Sequence, residues 1–315
     1  MRAIMQHEWD GPDSVRLVEV PEPRPAPTEV KVRVHAAGVN PVDYYTSGGL
    51  AYNGVLDLPF IHGWDVAGVV EEVGYGVTRF HVGDRVFGMP WFPRQAGGYA
   101  EFIAAPSRHF APIPTGLSFA EAAALPLAGL TAWQMLIDVA RLTPGRRVLI
   151  SAAAGGVGHL AVQIAKAHGA YVIGTARTAK HDFIRGLGAD EAVDYTTTPV
   201  HEVVNDVDIV IQMFGGAAGR DALRCLRPGG VLVSAQAAWT PGLFDRAREL
   251  NVHAYDYLVE PDAAGLQSIA GLVADGRLRV HVGAQYPLSE AAQALKVIGD
   301  GHTTGKIVLT VEPEN

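Results

Sequence analysis

Val30-Lys31-Val32-Arg33-Val34-His35 alternates apolar and polar side chains one for one, the period of a strand with one buried face. The same rhythm runs through residues 15–20, ahead of a proline-rich stretch from Pro21 to Pro27. Residues 66–73, 85–88 and 99–105 are further strand candidates, separated by glycine turns. Many short strands punctuated by Gly and Pro predict a small barrel-like domain over the first hundred or so residues.

Near residue 118 the pattern changes. Ser118-Phe119-Ala120-Glu121 has the spacing of a capping box, in which the serine oxygen accepts from the third helical amide and the glutamate reaches back. Alanine-rich sequence follows, and residues 130–142 keep helical apolar spacing until Thr143-Pro144-Gly145 stops the helix. From residue 147 strands and helices alternate. Strands are predicted over 147–152, 170–176, 192–195, 208–213, 230–235 and 252–258, and helices over 156–168, 180–187 and 219–226. Such βαβ alternation predicts an α/β domain with a parallel sheet covered by helices. The tail adds helices over 263–275 and 289–298 and a last strand over 306–311.

The most informative segment is Val148-Leu149-Ile150-Ser151-Ala152-Ala153-Ala154-Gly155-Gly156-Val157-Gly158. A buried strand runs into a glycine-rich turn and then an apolar helix. Glycines let the backbone approach a pyrophosphate closely, and the helix start supplies free amides and positive dipole. Ala152 replaces the usual first glycine of such a turn. The end of the next strand selects the cofactor. Versions that bind NAD place an acidic residue there for the ribose 2′-hydroxyl. Here the stretch reads Gly174-Thr175-Ala176-Arg177-Thr178-Ala179-Lys180-His181, with no carboxylate and with cations in its place. A guanidinium fork attracts a 2′-phosphate, so NADPH is the expected cofactor and Arg177 its first-choice partner.

Composition narrows the classes. The 315 residues have room for two domains, and 48% hydrophobic against 18% charged residues suffices for substantial cores. The formal charge of -8 does not suit a nucleic-acid or anionic-membrane surface. One cysteine, Cys225, rules out an internal disulfide and a cysteine-rich zinc site. The first residues contain no signal-like apolar run, and nothing approaches the ~20 apolar residues of a membrane span. A soluble cytoplasmic protein is the expectation.

Gly63-Trp64-Asp65-Val66-Ala67-Gly68-Val69-Val70, Val82-Gly83-Asp84-Arg85-Val86-Phe87-Gly88 and Ala153-Ala154-Gly155-Gly156-Val157-Gly158 resemble the medium-chain dehydrogenase/reductase superfamily. Asn40-Pro41-Val42-Asp43, Gly98-Tyr99-Ala100-Glu101-Phe102 and Gly129-Leu130-Thr131-Ala132 are similar to its quinone oxidoreductase branch, the one containing zeta-crystallin. The match runs to Gly305-Lys306-Ile307-Val308-Leu309. The resemblance implies a GroES-like β-barrel catalytic domain built from both chain ends, residues 1–120 and 260–315. It also implies a Rossmann domain, a doubly wound parallel sheet binding NADPH, over 121–259. Homodimers or homotetramers are implied as well.

Zinc alcohol dehydrogenases of the superfamily carry a catalytic cysteine where this chain has Asn40, and Gly-His-Glu where it has Gly63-Trp64-Asp65. They often add four clustered cysteines. None of those cysteines is present, and no two histidines show close metal-site spacing, so no metal is expected. A packed or solvated histidine is the better reading of His62.

By the resemblance, Asn40 sits beside the nicotinamide and Tyr45 lines the substrate cleft. Tyr52 falls close to a proposed proton-donor tyrosine of enoyl reductases, one residue off in spacing. These three are the catalytic candidates, although Tyr44, Tyr45 and Tyr52 also suit plain loop packing. A donor near the developing enolate or phenolate oxygen is what such chemistry needs, and it is a side chain or water. Asp43 reads as a structural hydrogen-bonding residue. The cofactor candidates are Asn40, Thr131, the turn Ala154, Gly155, Gly156, Val157 and Gly158, then Thr175, Ala176, Arg177, Tyr195, Phe214 and Gly215. Trp91, Phe92 and Trp239 are possible pocket walls, and each suits core or a subunit contact better.

The expected function is an NADPH-dependent, zinc-independent reductase delivering hydride to a small quinone or α,β-unsaturated carbonyl compound. The alternatives are an enoyl-thioester reductase acting on an acyl-CoA or polyketide chain, and a non-catalytic NADPH-binding structural or redox-sensing protein.

Overall fold

The eleven-residue strand Glu29–Val39 realises the alternation in the sequence: Val30, Val32 and Val34 are fully buried, while Lys31 and Arg33 lie half-buried between them. In the computed structural model, which describes residues 1–311, this strand organises the first of two units. That unit comprises Met1–Leu130, Glu260–Ala274 and the residues from Val280 on. Glu29–Val39 is long enough to pair along one edge with both Phe102–Pro106 and Lys306–Thr310, and along the other with Asp65–Val73, all antiparallel. This shared strand brings both chain ends into one domain. Its core gathers Val30, Val32, Val34, Val66, Phe110, Leu295, Ile307 and Leu309.

The second unit, Thr131–Val259 with Asp275–Arg279, is built on a six-stranded parallel sheet. The order across it is Glu191–Val193, Tyr171–Thr175, Arg147–Ile150, Val207–Gln212, Leu226–Ser234 and His253–Asp256. Counted along the chain this is 3-2-1-4-5-6, the doubly wound Rossmann order, with its reversal between Arg147–Ile150 and Val207–Gln212. Val148, Leu149, Ile150, Ile209, Val210 and Ile211 are all buried. Such continuous apolar runs are what a strand covered on both faces requires.

Two segments fall on the other side of the boundary expected from the sequence. Residues 121–130 lie in the first unit, because Phe119, Ala122 and Ala123 of the capped helix Phe119–Ala123 are buried there. The Leu127 amide also donates to Asp65 at 2.7 Å. Residues 275–279 lie in the second unit, where Gln163 and Arg279 exchange two hydrogen bonds of 2.9 Å between side-chain amide and backbone. The helix expected at 130–142 starts earlier, at Pro126, and its last turns widen, with Ala140 N bonding Met135 O. The strand Arg2–Gln6, the helices Pro41–Ser47 and Leu243–Glu249 and the strand Val282–Pro287 were not legible in the pattern.

Candidate active site

The glycine turn belongs to the second unit. Backbone bonds stitch the C-terminal ends of four strands there: Ser151 N to Ile211 O at 3.0 Å, Ala153 N to Thr175 O at 2.9 Å, and Ala176 N to Val193 O at 3.0 Å. Ser151 Oγ accepts from Met213 N at 2.7 Å. The turn after Arg147–Ile150 therefore sits at the strand-order reversal, leading into the helix Gly158–Ala167. The amides of Gly156, Val157 and Gly158 have no hydrogen-bond acceptor among the described residues. Orphaned amides at a helix start are the donors a pyrophosphate needs, so the turn fits a dinucleotide. Ala154 is buried, and Gly155, Gly156 and Val157 are half-buried around it.

Thr175 and Ala176 are buried at the end of the second strand, and Arg177 and Tyr195 are exposed beside each other's loops. Asp194, a residue the sequence did not single out, ties these loops together. It accepts from Thr178 N at 2.7 Å and from Thr196 N at 2.8 Å, and both threonine hydroxyls donate to it as well. The bonds from Thr178, then those from Thr196, hold its carboxyl well below the usual range. This carboxylate follows the third strand rather than the second, and four donors already engage it. Burial and the neighbouring Arg177 guanidinium lower the Lys180 ammonium, so two cations stand together at this end of the sheet. Phe214 is exposed, and Gly215 lies against Trp239, itself 60% exposed. Thr131 is buried in Pro126–Trp133.

The catalytic candidates lie in the first unit. Asn40 caps the helix Pro41–Ser47, and its amide donates to Asp43 Oδ2 at 2.8 Å. Its side chain is buried in a polar network. Nδ2 donates to Asp65 Oδ2 at 2.9 Å, and Oδ1 accepts from the Lys306 ammonium. Lys306 also donates to Val39 O at 3.2 Å and lies 3.5 Å from Asp65 Oδ2. Asp65, Lys306 and Asp43 are all essentially inaccessible to solvent. Burial raises the Asp65 carboxyl and lowers the Lys306 ammonium, and each charge opposes the shift of the other. Burial also pushes Asp43 up to about 7, against the Asn40 amide that holds it down. Asp43 Oδ2 thus accepts the hydrogen bond that ties it to Asn40.

Tyr45 is 43% exposed, while Tyr44 packs at Gly299. Tyr52 makes edge contacts with Trp64 and Phe92, whose rings lie 6.1 and 5.5 Å from it. Trp64 precedes Asp65, so this aromatic wall adjoins the Asn40 network through one peptide link. Burial raises the Tyr52 hydroxyl to about 12. It stays protonated at neutral pH and can donate a hydrogen bond. Trp91 instead packs on His109 and donates to Ala104 O. His62 is a packed histidine, buried against Phe60 and Tyr99 and bonded to Gln6; burial lowers it to about 3.

Two family models match this chain: the alcohol dehydrogenase GroES-like domain over residues 26–115 and the zinc-binding dehydrogenase domain over 187–309. The quinone oxidoreductase of Mus musculus is 35% identical across 98% of this chain and 97% of its own. The chain belongs to the medium-chain dehydrogenase/reductase superfamily, in its quinone oxidoreductase branch. The quinone oxidoreductase structure from Coxiella burnetii, 34% identical, superimposes with a TM-score of 0.93 over 99% of both chains. A mycobacterial protein complexed with NADPH is 31% identical, with a TM-score of 0.88 over 99% of this chain and 100% of that one. This protein is accordingly an oxidoreductase that uses a nicotinamide cofactor on a small-molecule substrate. One model's description mentions zinc; among the described residues, no group of three or more His, Cys, Asp or Glu is placed to hold a metal ion. No helix among them is long and apolar enough to cross a membrane.

Proposed function

We propose that this enzyme is an NADPH-dependent, zinc-independent reductase of small quinones or α,β-unsaturated carbonyl compounds. The observation that carries the proposal is the end of the second Rossmann strand, where the exposed Arg177 stands with no carboxylate between Gly174 and His181 and Asp194 is already engaged by four donors. A guanidinium fork matches a 2′-phosphate in charge and in bidentate geometry. The ribose hydroxyls of NADH offer no such charge.

The proposed division of labour follows from the residues. Gly156, Val157 and Gly158 amides receive the pyrophosphate, Arg177 receives the 2′-phosphate, and Tyr195 and Phe214 border the nucleotide. When bound, the nicotinamide supplies the hydride. The acceptor's conjugation spreads the incoming charge, so an oxygen-directed hydrogen bond is sufficient help. Tyr52, protonated throughout the neutral range, and the Asn40 side-chain amide are the proposed donors. Asp65 and Asn40 are unsuited to a metal here, because the Lys306 cation already occupies their oxygens.

The test is stopped-flow consumption of NADPH and NADH with a panel of quinones, enones and enoyl thioesters. Faster turnover with NADPH and with quinones or enones supports the proposal. A preference for NADH, or for thioesters alone, contradicts it.

A further inference from the structure

Asn40 is held by two groups of opposite character. A lysine ammonium has three donors and no acceptor, so it can face only Oδ1 of the carboxamide. A carboxylate accepts, so Asp65 faces only Nδ2. The two together remove the usual two-fold ambiguity of an amide side chain. One Nδ2 hydrogen is used by Asp65, and the other has no acceptor among the described residues. Lys306 comes from the last strand, 266 residues from Asn40 and 241 from Asp65. Both oxygens of Asp65 are engaged, since the Leu127 amide donates to Oδ1. A buried ion pair at this point is costly to build and is a poor source of stability in itself.

We propose that Lys306 is a positioning residue: with Asp65, it locks the Asn40 carboxamide so that its remaining N–H is presented to the reacting nicotinamide or acceptor. This rests on the reductase reading given above and deepens it. Rotation of the amide would present an oxygen where a donor is needed, which would repel a developing oxyanion.

The experiment is a double-mutant cycle on the hydride-transfer rate, measured by stopped flow with saturating NADPH and a quinone or enone on which the wild type is active. Lys306→Met and Asn40→Ala are each expected to slow transfer about ten-fold, the scale of one misplaced donor, and the double variant no more than Asn40→Ala alone. The KM for NADPH should stay within about three-fold in Lys306→Met, because Lys306 itself has no proposed contact with the nucleotide. Lys306→Gln keeps a donor for Oδ1 and is expected to restore the rate to within about three-fold of wild type. Should Lys306→Met fail to fold, Lys306→Met with Asp65→Asn leaves no lone buried charge and takes its place in the cycle. Multiplied losses in the double variant, or a Lys306→Met enzyme as fast as wild type, would overturn the proposal. An Asn40→Ala enzyme at wild-type speed overturns it too, while leaving the reductase assignment intact. If wild-type protein fails to oxidise NADPH with any quinone, enone or enoyl thioester, the reductase reading itself fails and the proposal falls with it.

Discussion

Ala152 and Gly158 shape the glycine turn against each other: a Cβ on Gly158 would fall on the Ala152 carbonyl and 2.7 Å from the Ala153 Cα. Both obstacles are backbone, so neither yields by a rotamer change. Gly158→Ala is expected to cost roughly 1–3 kcal/mol of stability and to abolish measurable NADPH binding. Ala152 itself sits at φ 50, in the left-handed region. Ala152→Gly relieves strain of about 1–2 kcal/mol and loses part of it to chain entropy, for a net gain of several tenths to about 1 kcal/mol. Urea unfolding and calorimetric titration of both variants check the pair.

Arg177→Ala is expected to weaken NADPH binding roughly ten- to a hundred-fold, the worth of a charge-assisted hydrogen bond. NADH binding should change by less than about three-fold, since it lacks the phosphate. Titration of both nucleotides against both proteins measures the difference. Equal losses would remove Arg177 from the 2′-phosphate site.

Tyr52→Phe removes a hydroxyl that burial holds near 12. The expected loss in kcat is roughly ten- to a hundred-fold, from one donor to a developing oxyanion. The wild-type pH–rate profile should show no Tyr52 titration between pH 6 and about 9, well below that value. An unchanged kcat in the variant would place Tyr52 with the packing aromatics Trp64 and Phe92.

Asp43 shapes the pH dependence of stability. Its carboxyl rises from 3.8 to about 7 on folding, so between those values the folded state binds more protons than the unfolded one. Its contribution is present below the unfolded value and lost as pH rises through the folded one, by a total of about 4 kcal/mol. His62, lowered to about 3, acts in the opposite sense, its contribution being lost as pH falls below its usual 6.5. Asp43→Asn keeps an acceptor for the Asn40 amide but cannot ionise. Its stability relative to wild type should therefore climb from pH 5 to pH 8, a comparison in which His62 cancels. Urea unfolding at both pH values tests this; a constant difference would contradict it.

Much of the fold is legible because its signals are local. The turn at Ala152–Gly158 and the capping box at Ser118 need only their own residues, and both form as the spacing requires. The parallel order follows from alternation. Long-range pairings carry no such mark. Val282–Pro287 becomes a strand by lying beside Lys306–Thr310, and residues 275–279 join the second unit through Gln163. The site behaves alike. Arg177 announces itself after a strand, whereas Asp194 acts through Thr178, sixteen residues away. Lys306 lies in the motif Gly305-Lys306-Ile307-Val308-Leu309, and its burial is implied by its place: a lysine opening the apolar run Ile307-Val308-Leu309 must find an acceptor inside.

Hydride transfer from NADPH bound at the glycine turn is expected to need no metal. Single-turnover stopped flow on chelator-treated protein preloaded with NADPH, mixed with a quinone or enone, tests it most directly. The bound nucleotide should be oxidised at the rate of untreated protein, with no metal at stoichiometric occupancy in either sample. Loss of the reaction on chelation and its return with added zinc would contradict it.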